Sequence, residues 1–550
     1  MTRLRALAIA LTCCCLAACG DDSPAHPAID AGTQDATPDA VPAPPALAVG
    51  DVVDLSGGGG GPLALAITTE AGTERYLAVL HAGTWASATA DYGITAQRTP
   101  AAAALRVQPA AAAPGADAPA PAATRRSPAH LADLATVAAA LRDGRARPAR
   151  PLPRPAPPVE NEVRDFRVLG DNRVAAIQAQ AVHVTATLAV WLDITTQPLA
   201  TISAADLTDV ADTYANVVIP REHRFFGQES DIDQNGMVFV LMSAIVNENN
   251  GPVAYFFSCD LLAPDAAGCP AGYSNQAEVL YLTPPSAIAP PYNTARAILE
   301  TMAHETNHMI YFNTKYLAQA RAGDTDNMYL QEGLAAMAQD LTGYQAGNWY
   351  VAQAGLNDIL DLSAYDILRD GGAYITSRDG AYRGAAYLLM RYLYDQAGGD
   401  HALTDGTFED LGGIAYMQAV FNAPEVGLAN LEARIARPLD DALFDFYTAL
   451  AVTNRGPDHG PISADPRFNY RPIETDPITT RQRGFDAYSV FHGIAMTGPQ
   501  TLPEDSVPGV MPATGVQYVA IDATDAGGVL TVTVDSPADW GTRARLCRIE

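Results

Sequence analysis

Basic residues are scarce in this sequence. Lysine and arginine number 34 against 62 aspartates and glutamates, a formal net charge of −28. A chain so charged repels polyphosphates, and its body carries no long basic stretch, so nucleic acid is excluded as an expected partner. Long apolar runs are missing too: after the first twenty residues, no stretch is long and apolar enough to span a bilayer. The glycine run at 57–61 is not followed by Gly-Lys-Ser/Thr, so it is a loop and not a phosphate cradle. Cysteine is sparse, seven in 550 residues, and four of the seven lie within the first nineteen. What is plentiful is core material. Hydrophobic residues make up 48% of a chain too long for one core, so several domains are expected.

The N-terminus reads "MTRLRALAIALTCCCLAACG": Arg3 and Arg5, an apolar run, then small residues. That is the pattern of a signal peptide, too short and wrongly flanked for a spanning helix. Its end, Leu16-Ala17-Ala18-Cys19, resembles the lipobox of bacterial lipoproteins. The resemblance implies removal of residues 1–18 and lipidation of Cys19, leaving a soluble body tethered to a membrane. The implied location is extracytoplasmic, on the bacterial cell envelope and by preference the outer membrane, with release by cleavage as a further option. Cys13, Cys14 and Cys15 leave with the signal peptide. Cys259 and Cys269 form a close pair suited to a disulfide in an oxidising space, and Cys547 is left over.

Residues 19–47 are rich in Pro, Ala and Asp without apolar periodicity, and read as a disordered tether. Residues 48–108 hold short strand-like runs ("PLALAITT", "RYLAVLHA", "GITAQRT") and read as a small β module. Residues 109–161 are an Ala/Pro-rich linker with one helix in "SPAHLADLATVAAALRDG" and a stiff basic tract, "RARPARPLPRPAPP". Ordered patterns return in 162–312, with strands and a long helix, and 313–460 is mainly helical. Residues 482–550 read as a C-terminal β module. The fold class is therefore α+β. One loop stands out: Asp231, Asp233, Asn235 and Gly236 begin like a calcium loop, but Met242 stands where an EF-hand has its twelfth-position acid. A tight turn before a strand is the plain reading, and a looser site for structural Ca2+ is the alternative.

"MAHETNHM" places His304 and His308 four apart, on one face of a helix, able to offer two imidazoles to one tetrahedral Zn2+. Glu305 is rotated about 100° from His304, beside the metal, where it handles protons rather than ligating. With ten histidines in the chain, a chance match to this pattern is expected less than about once in a hundred such sequences. A third ligand is required. Tyr311 and Thr314 stand where a metzincin would have Gly and His, which excludes that pattern. Glu332 in "YLQEGLAAMAQD" is the candidate, on a helix that returns antiparallel to the first. Asp324, Asp326 and Asp340 are rivals, and Asp340 could instead brace a histidine.

These two stretches resemble the gluzincin metallopeptidases, and among them the hyicolysin family of secreted neutral metalloproteases. The resemblance covers roughly 162–450 and is strongest over the two helices. It implies a zincin-like catalytic domain, zinc held by His304, His308 and Glu332, Glu305 as acid/base, and a protein or peptide substrate. "AYRGAAYLLMRYL" resembles the helix that supplies an oxyanion-binding tyrosine in related aminopeptidases, which makes Tyr382 the candidate and Tyr387 a weaker one. The implied activity is a zinc endopeptidase. The alternatives are an aminopeptidase, for which "IVNENNGPVAYF" is only a partial match, and an inert surface binding protein, against which the intact set of four residues argues.

Overall fold

The computed structural model describes residues 43–57, 61–70, 74–99, 136–149, 156–170, 173–196, 201–249, 251–290, 292–318, 326–369, 378–491, 494–504, 509–523 and 527–550. The signal peptide, Cys19, the tether up to residue 42, Asp324 and most of the 109–161 linker lie outside the described residues. Where that linker is described, a helix does occupy 136–142. The fold is mixed α and β.

A six-stranded sheet forms the floor of the central region. Its spatial order is Val163–Leu169, Val174–Val184, Leu188–Asp193, Val238–Met242, Val279–Leu282 and Ala254–Phe256. The middle strands Leu188–Asp193, Val238–Met242 and Val279–Leu282 are parallel and buried along their whole length, as their unbroken apolar sequences require. Val174–Val184 instead turns Ala175, Ile177 and Ala179 inward and the residues between them outward. The last strand, Ala254–Phe256, runs antiparallel and forms one edge.

Against this sheet packs the helix Ala295–Phe312, which carries "MAHETNHM". Thr294 caps it, its side-chain oxygen accepting from the Ala297 amide. The helix is buried almost throughout, because the sheet edge lies on one side and further helices on the other. Met328–Thr342 returns beside it, capped by Asn327 and stopped by Gly343 at φ 87°. Ala346–Asn357 and Asp379–Gln396 complete the helical layer around the site.

The two β segments at the chain's ends do not stand apart as separate modules. They pair with one another. One sheet has the order Val52–Asp54, Arg543–Arg548, Arg75–His81, Val516–Asp522, Leu502–Pro503, and the other Gly509–Pro512, Thr89–Thr99, Gly528–Asp535, Leu63–Thr69. Each half alone would expose strand edges, and each covers the other's. In Arg75–His81, Tyr76, Ala78 and Leu80 enter the core between the sheets, while Leu77 and Val79 join the core of the helical region. Cys547, the leftover cysteine, is buried opposite Val52, and burial pushes its thiol up to about 12. No helix among the described residues is long and apolar enough to cross a membrane.

Candidate metal centre

His304 and His308 project from the same face of their helix, and their Nε2 atoms lie 3.1 Å apart. Glu332 reaches them from the neighbouring antiparallel helix: Oε2 is 3.2 Å from His304 Nε2, and Oε1 is 3.5 Å from His308 Nε2. Ligands about 2.0–2.1 Å from a tetrahedral zinc stand about 3.3 Å from each other. The three donors fit one such ion by their spacing, and their mixture of imidazole and carboxylate is the chemistry zinc takes.

The orientation of His304 is set from behind. Gln339, two turns along the helix from Glu332, donates through Nε2 to the Glu300 carbonyl at 3.3 Å. That turns Oε1 toward His304 Nδ1, 3.2 Å away, an acceptor for an Nδ1 proton that would leave the Nε2 lone pair to a metal. Asp340, a rival ligand that could instead brace a histidine, is engaged elsewhere. It accepts from Tyr387, Arg391 and the Gly484 amide. Asp326 accepts from the Gly427 amide.

Glu305 lies one position round the helix and its Oε2 accepts from the Phe256 amide at 2.9 Å. Phe256 belongs to the edge strand, so the candidate acid/base is fixed to the rim of the sheet. Directly after that strand, Cys259 and Cys269 form the disulfide expected of them. The chain leaving the strand is thereby stapled into a short loop.

The helix Asp379–Gln396 brings a group that sequence reasoning missed. The Tyr382 hydroxyl donates to Asp366 at 3.1 Å and its ring stacks on Tyr329. The next residue, Arg383, places Nη2 2.6 Å from Glu332 Oε2. Arg383 stands within "AYRGAAYLLMRYL", but its helical phase is legible only once the packing of the two helices is known. That packing depends on glycine. A Cβ at Gly333, adjacent to Glu332, would come within 2.8 Å of the Ala386 backbone. Tyr387, the second tyrosine considered, bonds Asp340 and Gln345. Glu248, the acid of the partial aminopeptidase match, is ion-paired with Arg173 at 3.1 Å.

Comparison with known proteins gives one distant likeness to a curated protein. Over 139 residues the chain is 29% identical to the neutral metalloprotease ShpI of Staphylococcus hyicus. This chain is similar to a metalloprotease. The match covers 24% of this chain and 30% of that protein, so the chain spans under a third of the relative's length. No family model matches. The likeness agrees with the metalloprotease part of the sequence resemblance and goes no finer.

Proposed function

We propose that the chain is a zinc-dependent endopeptidase. The observation that carries this is the convergence of His304, His308 and Glu332, with Glu305 beside them on the sheet rim. His304, His308 and Glu332 would hold the zinc, which would supply Lewis acidity for activating a water and polarising a peptide carbonyl. Glu305 accepts the proton of the attacking water and delivers it to the departing amine. Arg383, the cation against Glu332, takes the part of second donor to the developing oxyanion that the motif resemblance assigns to Tyr382. The strand Ala254–Phe256 ends one edge of the sheet beside Glu305, and an extended peptide laid along that edge would be cut within its chain. The disulfide and the N-terminal pattern support a place outside the cytoplasm, with Cys19 as the lipid anchor.

The test is metal analysis joined to peptide cleavage. Purified protein is expected to hold about one zinc per chain and to cut a peptide blocked at both ends. Glu305→Gln is expected to keep the zinc and lose about 10²–10⁴-fold in kcat. Cleavage of unblocked peptides alone would indicate an aminopeptidase. Absence of zinc, or unchanged cleavage by Glu305→Gln, would remove the proposal.

A further inference from the structure

A second group of three acids lies outside the histidine site. Asp231, Asp233 and Glu278 each place a carboxylate oxygen within 4.8 Å of the other two. Both aspartates belong to the loop that enters the strand Val238–Met242, and Glu278 immediately precedes Val279–Leu282. These strands are parallel neighbours with Val279 opposite Phe239. Their N-terminal ends therefore meet, and the Phe239 amide donates to the Glu278 carbonyl at 2.7 Å.

The loop is shaped before any ligand arrives. Gly236 donates its amide to Asp231 Oδ1 at 3.0 Å, and Asn235 donates its amide to Asp233 Oδ1 at 3.1 Å. Asn235 Nδ2 donates to Asp233 Oδ2 at 2.7 Å, and Asn235 Oδ1 accepts from the Met237 amide. Gly236, at φ 72°, makes the sharp turn. Glu278 is the telling residue. It is 1% exposed, and its Oε1 accepts from Ser230 Oγ at 2.7 Å and the Ile232 amide at 2.9 Å. Its Oε2 is equally buried and has no hydrogen-bond partner. No basic side chain forms an ion pair with any of the three acids among the described residues, and the neighbouring Arg164 is paired with Glu162. Burial pushes Glu278 up to about 7 and Asp233 up to about 6. A buried carboxylate oxygen without a donor is costly, and an ordinary tight turn has no use for one.

We propose that Asp231, Asp233, Asn235 and Glu278 form a calcium site, with Glu278 in place of the missing acid at the loop's twelfth position. The chemistry is that of a hard divalent cation: every donor is oxygen, three are carboxylates, and Gly236 sits sixth, as a calcium loop requires. Met242, in the twelfth position, is buried inside its strand. The adjacent parallel strand delivers the closing carboxylate instead, and Ca2+ would tie the two strand ends together.

The test uses the full chain, freed of calcium and kept saturated with zinc so that the histidine site takes up no probe. CaCl2 is titrated to about 10⁻³ M, the range of weak extracellular sites, with calorimetric and thermal-unfolding readouts. Wild type is expected to bind about one Ca2+ per chain and to unfold at a higher temperature when it does. Asp233→Asn and Glu278→Gln are expected to lose both effects. Replacing a buried acid can prevent folding, so Asp231→Asn, at the exposed end of the cluster, is measured beside them and is expected to weaken binding in a chain that folds normally. Absence of calcium uptake by wild type, or uptake unchanged in all three variants, overturns the assignment. Proteolysis is not read, so the result is independent of the function proposed above.

Discussion

Gln339 offers an acceptor to one nitrogen of His304. Its amide is fixed by the Glu300 carbonyl, so its oxygen faces Nδ1, which would leave Nε2 to a metal. Gln339→Met keeps the size and removes the acceptor. It is expected to weaken zinc affinity by about 10–100-fold, read by competition with a chromogenic chelator, while Gln339→Glu restores an acceptor and the affinity. Tyr382→Phe gives the opposite contrast. Its hydroxyl serves Asp366, so the change is expected to cost about 1 kcal/mol of stability and leave zinc affinity and kcat near wild type. Arg383→Gln is expected to lower kcat by about 10²–10³-fold. A reversed result, with Tyr382→Phe inactive and Arg383→Gln active, would return the oxyanion role to the tyrosine. His304, Glu305 and His308 were legible in the sequence because helical spacing is local. Gln339 and Arg383 were not, since each acts from another helix and neither belongs to a spacing pattern.

Three helices meet through glycines. A Cβ at Gly384 would fall 1.7 Å from the Val351 carbonyl oxygen, and one at Gly355 would fall 2.8 Å from the Ala385 amide nitrogen. The backbones of Ala346–Asn357 and Asp379–Gln396 are thus nearly in contact, and Gly333 holds Met328–Thr342 equally close to the second of them. This packing brings Arg383 onto Glu332. Gly384→Ala is expected to destabilise by about 1–3 kcal/mol, because backbone must move to admit the methyl group. At Gly380, on the same helix, a Cβ would meet nothing within 4 Å, so Gly380→Ala is expected to be neutral or to stabilise by up to about 1 kcal/mol. Urea unfolding of both variants checks the pair, and equal effects would show that close approach is not what Gly384 serves. Met328–Thr342 and Asp379–Gln396 were readable as helical stretches, and Ala346–Asn357 fell within a region read as mainly helical. Which glycines face a neighbour was not, because that depends on the order in which the helices pack.

The largest departure from the sequence reading is at the scale of the whole chain. Alternating apolar patterns located strands near both ends, but strand patterns do not say which strand pairs with which. Val52 faces Cys547 and Leu63 faces Val534, pairings that span nearly the entire chain. The resulting two-sheet unit is also joined to the helices. His81 Nε2 lies 2.9 Å from Asp440, Arg545 meets Asp445 at 2.7 Å, and Tyr518 donates to the Tyr447 carbonyl at 2.7 Å. Gln517 and Ser363 add bonds between the sheet and the segment following Ala346–Asn357. Deleting 500–550 would therefore do more than remove a module. It would leave Arg75–His81 without either neighbour, take Val516, Tyr518 and Cys547 out of the core shared with the helices, and remove Arg545 from Asp445, which keeps Arg437 and Arg467. Losing one large buried side chain costs about 2–5 kcal/mol, and several are lost at once, which is comparable to a large part of a domain's net stability. The truncated chain is expected to aggregate or unfold and to hold no zinc, measured by recovery from size-exclusion chromatography and metal content. A soluble, zinc-loaded truncation that unfolds at the wild-type temperature would show that the C-terminal strands are dispensable to the metal centre, and that the two-sheet unit is an appendage.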